Sequence, residues 1–254
     1  MSIARIFGLI FAGELALALV LTACGGSGGT SSAMPAQANS VRVRFMEGAP
    51  ELDAIIGGQP QPIGTAYLRV DGQTVASFFN YSTLTSYVTM PSGLHSLTAR
   101  NLLGYAVGPL KIPSLTGGTA YTLIVVGSYP KYSVLAFADP ATGSGAQLSL
   151  YEASPTVPQA AFGTFAASTK SNFEHRGSAK FGDVTTATIG KSVSNIGGYV
   201  GTPSNTLGTL TLAQIDPHDK HNVLPFHVAT RLSLFLLDPG TGNPPGPVFG
   251  NLDR

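Results

Sequence analysis

Apolar and polar residues alternate near the start of the body of the chain. Val41, Val43 and Phe45 are separated by Arg42 and Arg44. Because successive side chains of a β-strand point to opposite sides, this alternation predicts a strand with one buried face and one face in solvent.

Two segments downstream predict β-hairpins. In "AYLRVDGQTVASF" (66–78), Asp71-Gly72 stands between two apolar-rich runs, which is a strong signal for a two-residue hairpin turn. "TSYVTMPSGLHSLTAR" (85–100) repeats this design, with Pro91-Ser92-Gly93 as the turn.

The next segments are less polar. "TAYTLIVVG" (119–127) is a continuous apolar run, as expected of a central strand, and "YSVLAFAD" (132–139) follows it. Together these segments predict about seven strands in about 100 residues, the spacing of an antiparallel β-sandwich of the immunoglobulin-like or transthyretin-like kind. We find no amphipathic helical period beyond the N-terminal apolar run, so the predicted fold class is all-β.

The chain repeats two of its segments about 100 residues further on. "RVRFMEGAP" (42–50) aligns with "QLSLYEASP" (147–155), and "YSVLAFADPATG" (132–143) aligns with "LSLFLLDPGTG" (232–242). The repeat predicts a tandem arrangement of two sandwich domains.

The domain boundaries follow from this repeat. We expect β-sandwich domain 1 at 41–140 and a more divergent β-sandwich domain 2 at 146–240. The final residues, 241–254, are rich in Pro and Gly and predict a tail.

The first residues, 1–23, predict a secretory signal peptide. A short basic start precedes an apolar run that contains Glu14 and ends in Leu-Thr-Ala-Cys. This ending resembles the lipobox of bacterial lipoproteins. The resemblance implies cleavage between Ala23 and Cys24, and attachment of lipid, with acyl chains such as palmitate, to Cys24.

Two alternatives remain for this segment: a buried structural Cys24, and an uncleaved membrane helix in which Glu14 would cost roughly 2.5–3.5 kcal/mol. In the lipoprotein interpretation, residues 24–40 are the lipidated cysteine and a flexible tether with a reach of roughly 20–24 Å. Gly25 follows the cysteine where Asp would favour inner-membrane retention. We therefore expect a lipid-anchored protein of the cell envelope; if the organism has two membranes, the resemblance implies the outer membrane, on its periplasmic or surface face.

The composition agrees with a β protein. Charged residues make up 11% of the chain, which has 31 glycines and 18 prolines, as is typical of short strands joined by many turns. The net charge of +1 gives no electrostatic signal for nucleic acid. The single cysteine cannot form an internal disulfide.

Three segments together resemble one protein family. "VRVRFMEGAP", "AYLRVDGQTVASFFNYSTLTSYVTMPSGLHSLTAR" and "LTGGTAYTLIVVG" are similar, in this order, to secreted bacterial proteins with the domain of unknown function DUF4397, over 41–137. The resemblance implies a β-sandwich that is often lipid-anchored and often present in tandem. It implies no catalytic or ligand-binding residue.

The strongest candidates for chemistry lie in "DPHDKH" (216–221). His218, Asp219 and His221 are suitable ligands for zinc or a similar ion. In an extended strand, residues 218 and 221 point to opposite faces, so only a loop could bring them together. The favoured interpretation is a solvated turn without metal or cofactor.

Other polar residues give weaker signals. Glu174 stands beside His175, which could suggest acid–base chemistry, but we expect both in an exposed turn. We expect His95 to face solvent. Glu47 and Glu152 occupy equivalent positions in the repeat, and we expect a structural role for both.

Aromatic residues in "FFNY" (78–81) and "SYPKY" (128–132) could stack on sugar rings or on a protein, although such residues are more often part of a core. We predict no enzyme. The expected function is a non-enzymatic binding or adhesion module for protein, glycan or cell wall, anchored in the membrane through Cys24 and without a nucleic-acid partner. The alternatives are a purely structural envelope spacer and a metal-dependent enzyme that uses residues 216–227.

Overall fold

The computed structural model describes residues 39–53, 55–56, 59–60, 65–79, 81–101, 106–141, 143, 145–165, 173–189, 195–199, 206–211, 231–238 and 248–253. These residues belong to one compact unit, Pro35–Arg254. Within these ranges the chain forms β-strands, with one 3₁₀ turn at Pro50–Asp53 and no α-helix. The predicted all-β fold class is confirmed.

The strands are numbered in chain order. The first ten are β1 (Ser40–Glu47), β2 (Ile55–Ile56), β3 (Gln59–Pro60), β4 (Thr65–Val70), β5 (Gln73–Phe79), β6 (Val88–Pro91), β7 (Gly93–Asn101), β8 (Ala106–Leu115), β9 (Ala120–Ser128) and β10 (Lys131–Ala138). They are followed by β11 (Gln147–Glu152), β12 (Gln159–Phe165), β13 (Phe173–Lys180), β14 (Val184–Thr188), β15 (Asn195–Tyr199), β16 (Thr206–Thr211), β17 (Arg231–Leu236) and β18 (Val248–Asp253).

The first half of the body is a sandwich of two four-stranded sheets. Sheet 1 has the strand order β10-β9-β1-β6, and sheet 2 has the order β5-β4-β7-β8. β1 runs parallel to β9 and antiparallel to β6. Buried apolar side chains of both sheets form one core, which includes Val41, Val43, Phe45, Leu68, Val70, Leu97, Ala99, Ile112, Leu123 and Val125.

The second half has the same strand order. Sheet 3 is β14-β11-β17-β18 and sheet 4 is β13-β12-β15-β16, and β11 runs parallel to β17 as β1 does to β9. A second core lies between them and includes Leu148, Leu150, Ala160, Phe162, Ala179, Leu232, Leu234 and Leu236.

Sheets 1 and 3 also share a third apolar cluster, formed by the sides that face away from these two cores. Its buried members are Met46, Ile124, Val126, Phe137, Tyr151, Ala153, Phe235 and Leu237. The Tyr151 ring stacks on Phe235 with 4.8 Å between ring centroids and meets Phe137 edge-on at 5.6 Å. The two sandwiches therefore pack against each other through this apolar cluster.

A buried polar network lies within this interface and is centred on Asp139. Its Oδ2 accepts a hydrogen bond of 2.7 Å from the hydroxyl of Tyr87. Its Oδ1 accepts hydrogen bonds from the hydroxyls of Thr122 at 2.6 Å and Tyr151 at 2.9 Å. Arg44 donates from Nε to Thr122 Oγ1 at 2.8 Å, and its Nη2 lies 4.0 Å from Asp139 Oδ1. The buried carboxylate thus has both hydrogen-bond donors and a counter-charge.

The position of Arg44 corrects part of the prediction that one face of β1 lies in solvent. The Arg44 side chain is 3% exposed. Its Cζ lies 6.0 Å from the ring centroid of Tyr151 and 5.8 Å from that of Phe235, both in sheet 3. The alternation in β1 is real and Arg42 is exposed as predicted, but from Arg44 onward the second face is covered by the other sandwich.

The hairpin predicted at Asp71-Gly72 is confirmed. β4 and β5 pair antiparallel on either side of this turn. Asp71 and Gly72 have φ values of 48° and 81°. Two successive positive φ values are typical of the turns that join tight hairpins, and Gly adopts them without steric cost.

The second predicted hairpin is wrong. β6 pairs with β1 in sheet 1, whereas β7 pairs with β4 and β8 in sheet 2. Pro91-Ser92-Gly93 is therefore a crossing between two sheets. The N–H of Ser92 donates to the carbonyl of Asn39 at 3.0 Å, which places this crossing beside the first described residue of the chain.

The alignment of the closing segments, 132–143 and 232–242, also needs correction. β10 is an edge strand of sheet 1, but β17 is an inner strand of sheet 3, parallel to β11. The edge strand next to β17 is β18, which lies inside the predicted tail 241–254 and beyond the predicted end of domain 2. An Asp-Pro turn can follow any strand, so the repeated motif does not mark equivalent strands.

Candidate binding face

Several predicted site residues lie outside the described residues. They are Ala23, Cys24, His218, Asp219 and His221. Among the residues that are described, no group of three or more His, Cys, Asp or Glu side chains could hold a metal ion. The described ranges also contain no helix that is long and apolar enough to cross a membrane.

His95 does not face solvent as predicted, because its side chain is 7% exposed. Its Nδ1 lies 2.6 Å from Asp71 Oδ2, and its Nε2 lies 2.9 Å from the carbonyl oxygen of Pro91. The other carboxylate oxygen of Asp71 accepts from the backbone N–H of Ser96 at 2.9 Å. The hydrogen bonds from His95 and then Ser96 lower the pKa of Asp71. His95 thus ties the β4–β5 turn to β7.

Glu174 and His175 lie in β13 and not in a turn as predicted, and both are exposed. Glu174 accepts a hydrogen bond of 2.6 Å from Arg176, its neighbour on the same face of the strand. The Nε2 of His175 lies 3.2 Å from the hydroxyl oxygen of Ser178. These hydrogen bonds are made along the strand and do not bring the two side chains together as an acid–base pair.

Glu47 and Glu152 are both fully buried at the ends of equivalent strands. Glu152 Oε1 accepts from the backbone N–H of Ser154 at 2.9 Å, while Oε2 has no hydrogen-bond partner among the described residues. Burial outweighs the Ser154 hydrogen bond and raises the pKa of Glu152 to about 8. The Glu152 carboxyl is therefore mostly protonated at neutral pH.

The aromatic candidates divide between the interface and the surface. Tyr81 donates from its hydroxyl to the carbonyl of Asp238 at 2.6 Å, and burial raises its pKa. It therefore links the two sandwiches. Tyr129, in the turn between β9 and β10, is 65% exposed.

A more extended candidate site is the face of sheet 2 that points away from the core, here called the outer face. In β4, Leu68 and Val70 are buried in the core. Because side chains alternate along a strand, Tyr67 and Arg69 point to the other side. Arg69 is exposed and Tyr67 is half-buried.

Tyr67 is held between two guanidinium groups on this face. Register pairs Tyr67 with Arg100 of β7, whose Nη1 donates to the Tyr67 hydroxyl at 3.1 Å. The Cζ of Arg69 lies 4.3 Å from the centroid of the Tyr67 ring, within range of a cation–π interaction. The Arg100 hydrogen bond, together with the two positive charges, lowers the pKa of Tyr67 against the effect of burial.

A third cation extends the outer face to the next strand. Lys111 of β8 is exposed and pairs in register with Ser96 of β7. This face also carries small polar residues, namely Thr74, Ser77, Ser96 and Thr98. Strands β4, β5, β7 and β8 contain no Asp or Glu. Asp71, in the turn between β4 and β5, brings a carboxylate to one end of this face, since its Oδ1 accepts a hydrogen bond of 3.2 Å from the hydroxyl of Ser96. Cations therefore outnumber carboxylates on the described part of the outer face.

Sequence reasoning missed this site, although part of its signal is local. The alternation of Tyr67 and Arg69 with buried apolar residues shows that the two share a face. Whether Arg100 and Lys111 lie on the same face as Tyr67 and Arg69 depends on how three strands pair, and bulges shift the register of these strands. Such register is a property of the folded sheet.

Comparison with known proteins agrees with the family resemblance in part of the chain. No curated protein matches the chain. The family model described as "Domain of unknown function (DUF4397)" matches residues 63–162, which run from β4 into β12. The match overlaps the expected region, 41–137, at residues 63–137. It does not include β1, and it continues into the second sandwich. Residues 63–162, which include the whole outer face, are thus similar to the DUF4397 family.

Proposed function

We propose that this chain is a non-enzymatic, lipid-anchored protein of the cell envelope that binds an anionic partner through the outer face. The observation that carries the proposal is the outer face itself, where Arg69, Arg100 and Lys111 on three adjacent strands outnumber the single carboxylate described at this face, that of Asp71. Positive charge of this kind attracts anionic partners and speeds their association.

The lipid anchor is the second part of the proposal. It is supported by the sequence Leu-Thr-Ala-Cys at the end of an apolar run, and by the Gly- and Ser-rich residues that follow Cys24. Two or more acyl chains are enough to hold a protein on a membrane. Replacement of Cys24 by Ser should abolish labelling of the protein with palmitate in growing cells, and labelling that persists would contradict the anchor.

The third part is a body made of two tandem copies of the DUF4397-like sandwich. Sheets 1 and 2 share their strand order with sheets 3 and 4, which supports this part. The second copy does not repeat this arrangement of cations: β12, β15 and β16, the counterparts of β4, β7 and β8, contain no Arg or Lys, and the cations of sheet 4, Arg176 and Lys180, lie in the edge strand β13. The proposed binding site therefore lies in the first sandwich alone. The binding function does not depend on whether the second sandwich is a copy of the first.

A retention experiment tests the binding function. The full-length chain, purified in detergent, is applied to an immobilised sulfated polysaccharide as a general anionic probe, and the salt concentration at elution is measured. The double variant R69S/K111S should elute at clearly lower salt. The matched control K131S/K180S removes two exposed cations elsewhere and should elute like the parent chain. Equal elution of all three would contradict the proposal and favour a structural spacer.

A further inference from the structure

We infer that the partner of the outer face is the membrane itself, a surface of anionic lipid headgroups on which sheet 2 lies flat. This inference rests on the proposed function, because it assumes the lipid anchor and the anion-binding face. It names the class of anion that the face meets.

The first argument is the distribution of the cations. Strands are about 4.8 Å apart and rise about 3.3 Å per residue, so the register places the backbone of Arg69 about 8 Å from that of Arg100 and about 12 Å from that of Lys111. The three positions form a triangle rather than a line. A two-dimensional array of headgroups can meet all three at once, whereas a single linear polymer would follow one row.

The second argument is Leu94, at the start of β7. Leu94 is 80% exposed, more than any other large apolar side chain in the described ranges. It precedes Ser96 by two residues, so alternation places it on the same side as the cations. An exposed leucine beside cations is the combination found on surfaces that rest at the boundary between headgroups and acyl chains.

The third argument is the place where the chain enters the body. The N–H of Ser92, two residues before Leu94, donates to the carbonyl of Asn39. Asn39 is preceded by the proposed tether, which begins at Cys24. The tether therefore joins the body at the same end of sheet 2 as Leu94, and an anchored chain brings this end to the lipid surface.

Because the anchor holds the chain at the membrane, weak contacts between the outer face and the lipid are sufficient to orient the body. A basic residue near an anionic membrane gains about fivefold in binding, which gives about thirtyfold for the two cations Arg69 and Lys111. Because the anchor already keeps the body within roughly 20–24 Å of the membrane, this preference is enough to set the orientation of the body.

The inference is tested with the lipidated full-length chain in vesicles. Ser77, which is exposed on the outer face, is replaced by Cys and labelled with a polarity-sensitive fluorophore, since lipidation blocks Cys24. We expect a blue shift in vesicles that contain phosphatidylglycerol and none in pure phosphatidylcholine. R69S/K111S should lower the ratio of chains whose outer face contacts the membrane to chains in other orientations about thirtyfold. Leu94→Ser should lower the same ratio several-fold. A label at Lys180→Cys, in the second sandwich, should not respond.

The outcomes separate this inference from the proposed function. If the polysaccharide column retains the chain through Arg69 and Lys111 but the label at residue 77 reports water in both kinds of vesicle, the membrane inference is wrong and a soluble polyanion is the partner. If R69S/K111S changes neither the elution nor the fluorescence, both proposals are wrong. A shift that also occurs in phosphatidylcholine, or that survives R69S/K111S, would overturn the electrostatic origin of the contact.

Discussion

The hydroxyl of Tyr151, in the opening strand of the second sandwich, donates a hydrogen bond of 2.9 Å to Oδ1 of Asp139, which follows the last strand of the first. The contact couples the two halves through a buried charge, because the Asp139 side chain is 2% exposed. A carboxylate at this depth depends on every donor around it. Loss of the Arg44 cation should therefore lower the free energy of unfolding more than loss of one hydroxyl.

Replacement of Arg44 by Met should be the most damaging change in this network. It leaves the Asp139 carboxylate buried without a counter-charge, for which a loss of about 3–5 kcal/mol in the free energy of unfolding is expected. Tyr151→Phe removes one hydrogen bond of three and should cost about 1 kcal/mol. Urea unfolding of the full-length chain measures both. The pair R44M/D139N should lose less than R44M alone, and an equal or larger loss would contradict the charge argument.

Glu152→Gln should change how stability depends on pH. Burial raises the pKa of Glu152 from its ordinary value of 4.5 to about 8, so the folded protein binds a proton that the unfolded chain releases between these values. The free energy of unfolding of the parent chain should therefore fall as the pH rises from 4.5 to 8 and then level off. At pH 8, Glu152→Gln should be more stable than the parent by about 1–3 kcal/mol.

Thermal unfolding of both chains from pH 4 to pH 9 checks this prediction. The matched control is Glu174→Gln, because Glu174 is exposed in β13 and its replacement should leave the slope unchanged. Parallel stability curves for the parent chain and Glu152→Gln would show that the Glu152 carboxyl is ionised in the fold.

Local signals in the sequence predict some of these features and not others. The turn at Asp71-Gly72 follows from the conformational needs of two adjacent residues, so it is visible in the sequence. The crossing at Pro91-Ser92-Gly93 is also made of turn-forming residues, but whether two strands pair or separate into different sheets depends on partners far along the chain. The burial of Arg44 likewise depends on residues more than 100 positions away, such as Tyr151. Alternation indicates that a strand has two faces and leaves open what covers each.

Asp71→Asn should weaken the link between the β4–β5 turn and β7. Asn tolerates the positive φ of 48° at this position, so the turn itself is kept. The pKa of Asp71 is lowered, so its contribution is present above the ordinary value of 3.8 and is lost as the pH falls through the lower folded value. The Asp71 carboxylate is half exposed, so the expected loss at pH 6 is only about 0.5 kcal/mol.

The measurement for this variant is the difference in unfolding free energy from the parent chain between pH 6 and pH 2. The difference should shrink towards pH 2. Asp183→Asn, in the exposed turn between β13 and β14, is the matched control and should show no such trend. A constant difference across this range would mean that the Asp71 charge does not contribute.

Gly48→Ala should loosen the packing between the two sandwiches. A Cβ at residue 48 would lie 2.9 Å from Cγ2 of Ile124, 3.0 Å from the carbonyl oxygen of Val125 and 3.2 Å from Cδ2 of Leu237. Overpacking of this kind costs about 1–3 kcal/mol. Ile124→Ala removes the closest of these atoms, so the double variant G48A/I124A should be destabilised by less than the sum of the two single changes. Urea unfolding of the three variants gives this coupling, and strict additivity would show that the backbone shifts to accommodate the new methyl group.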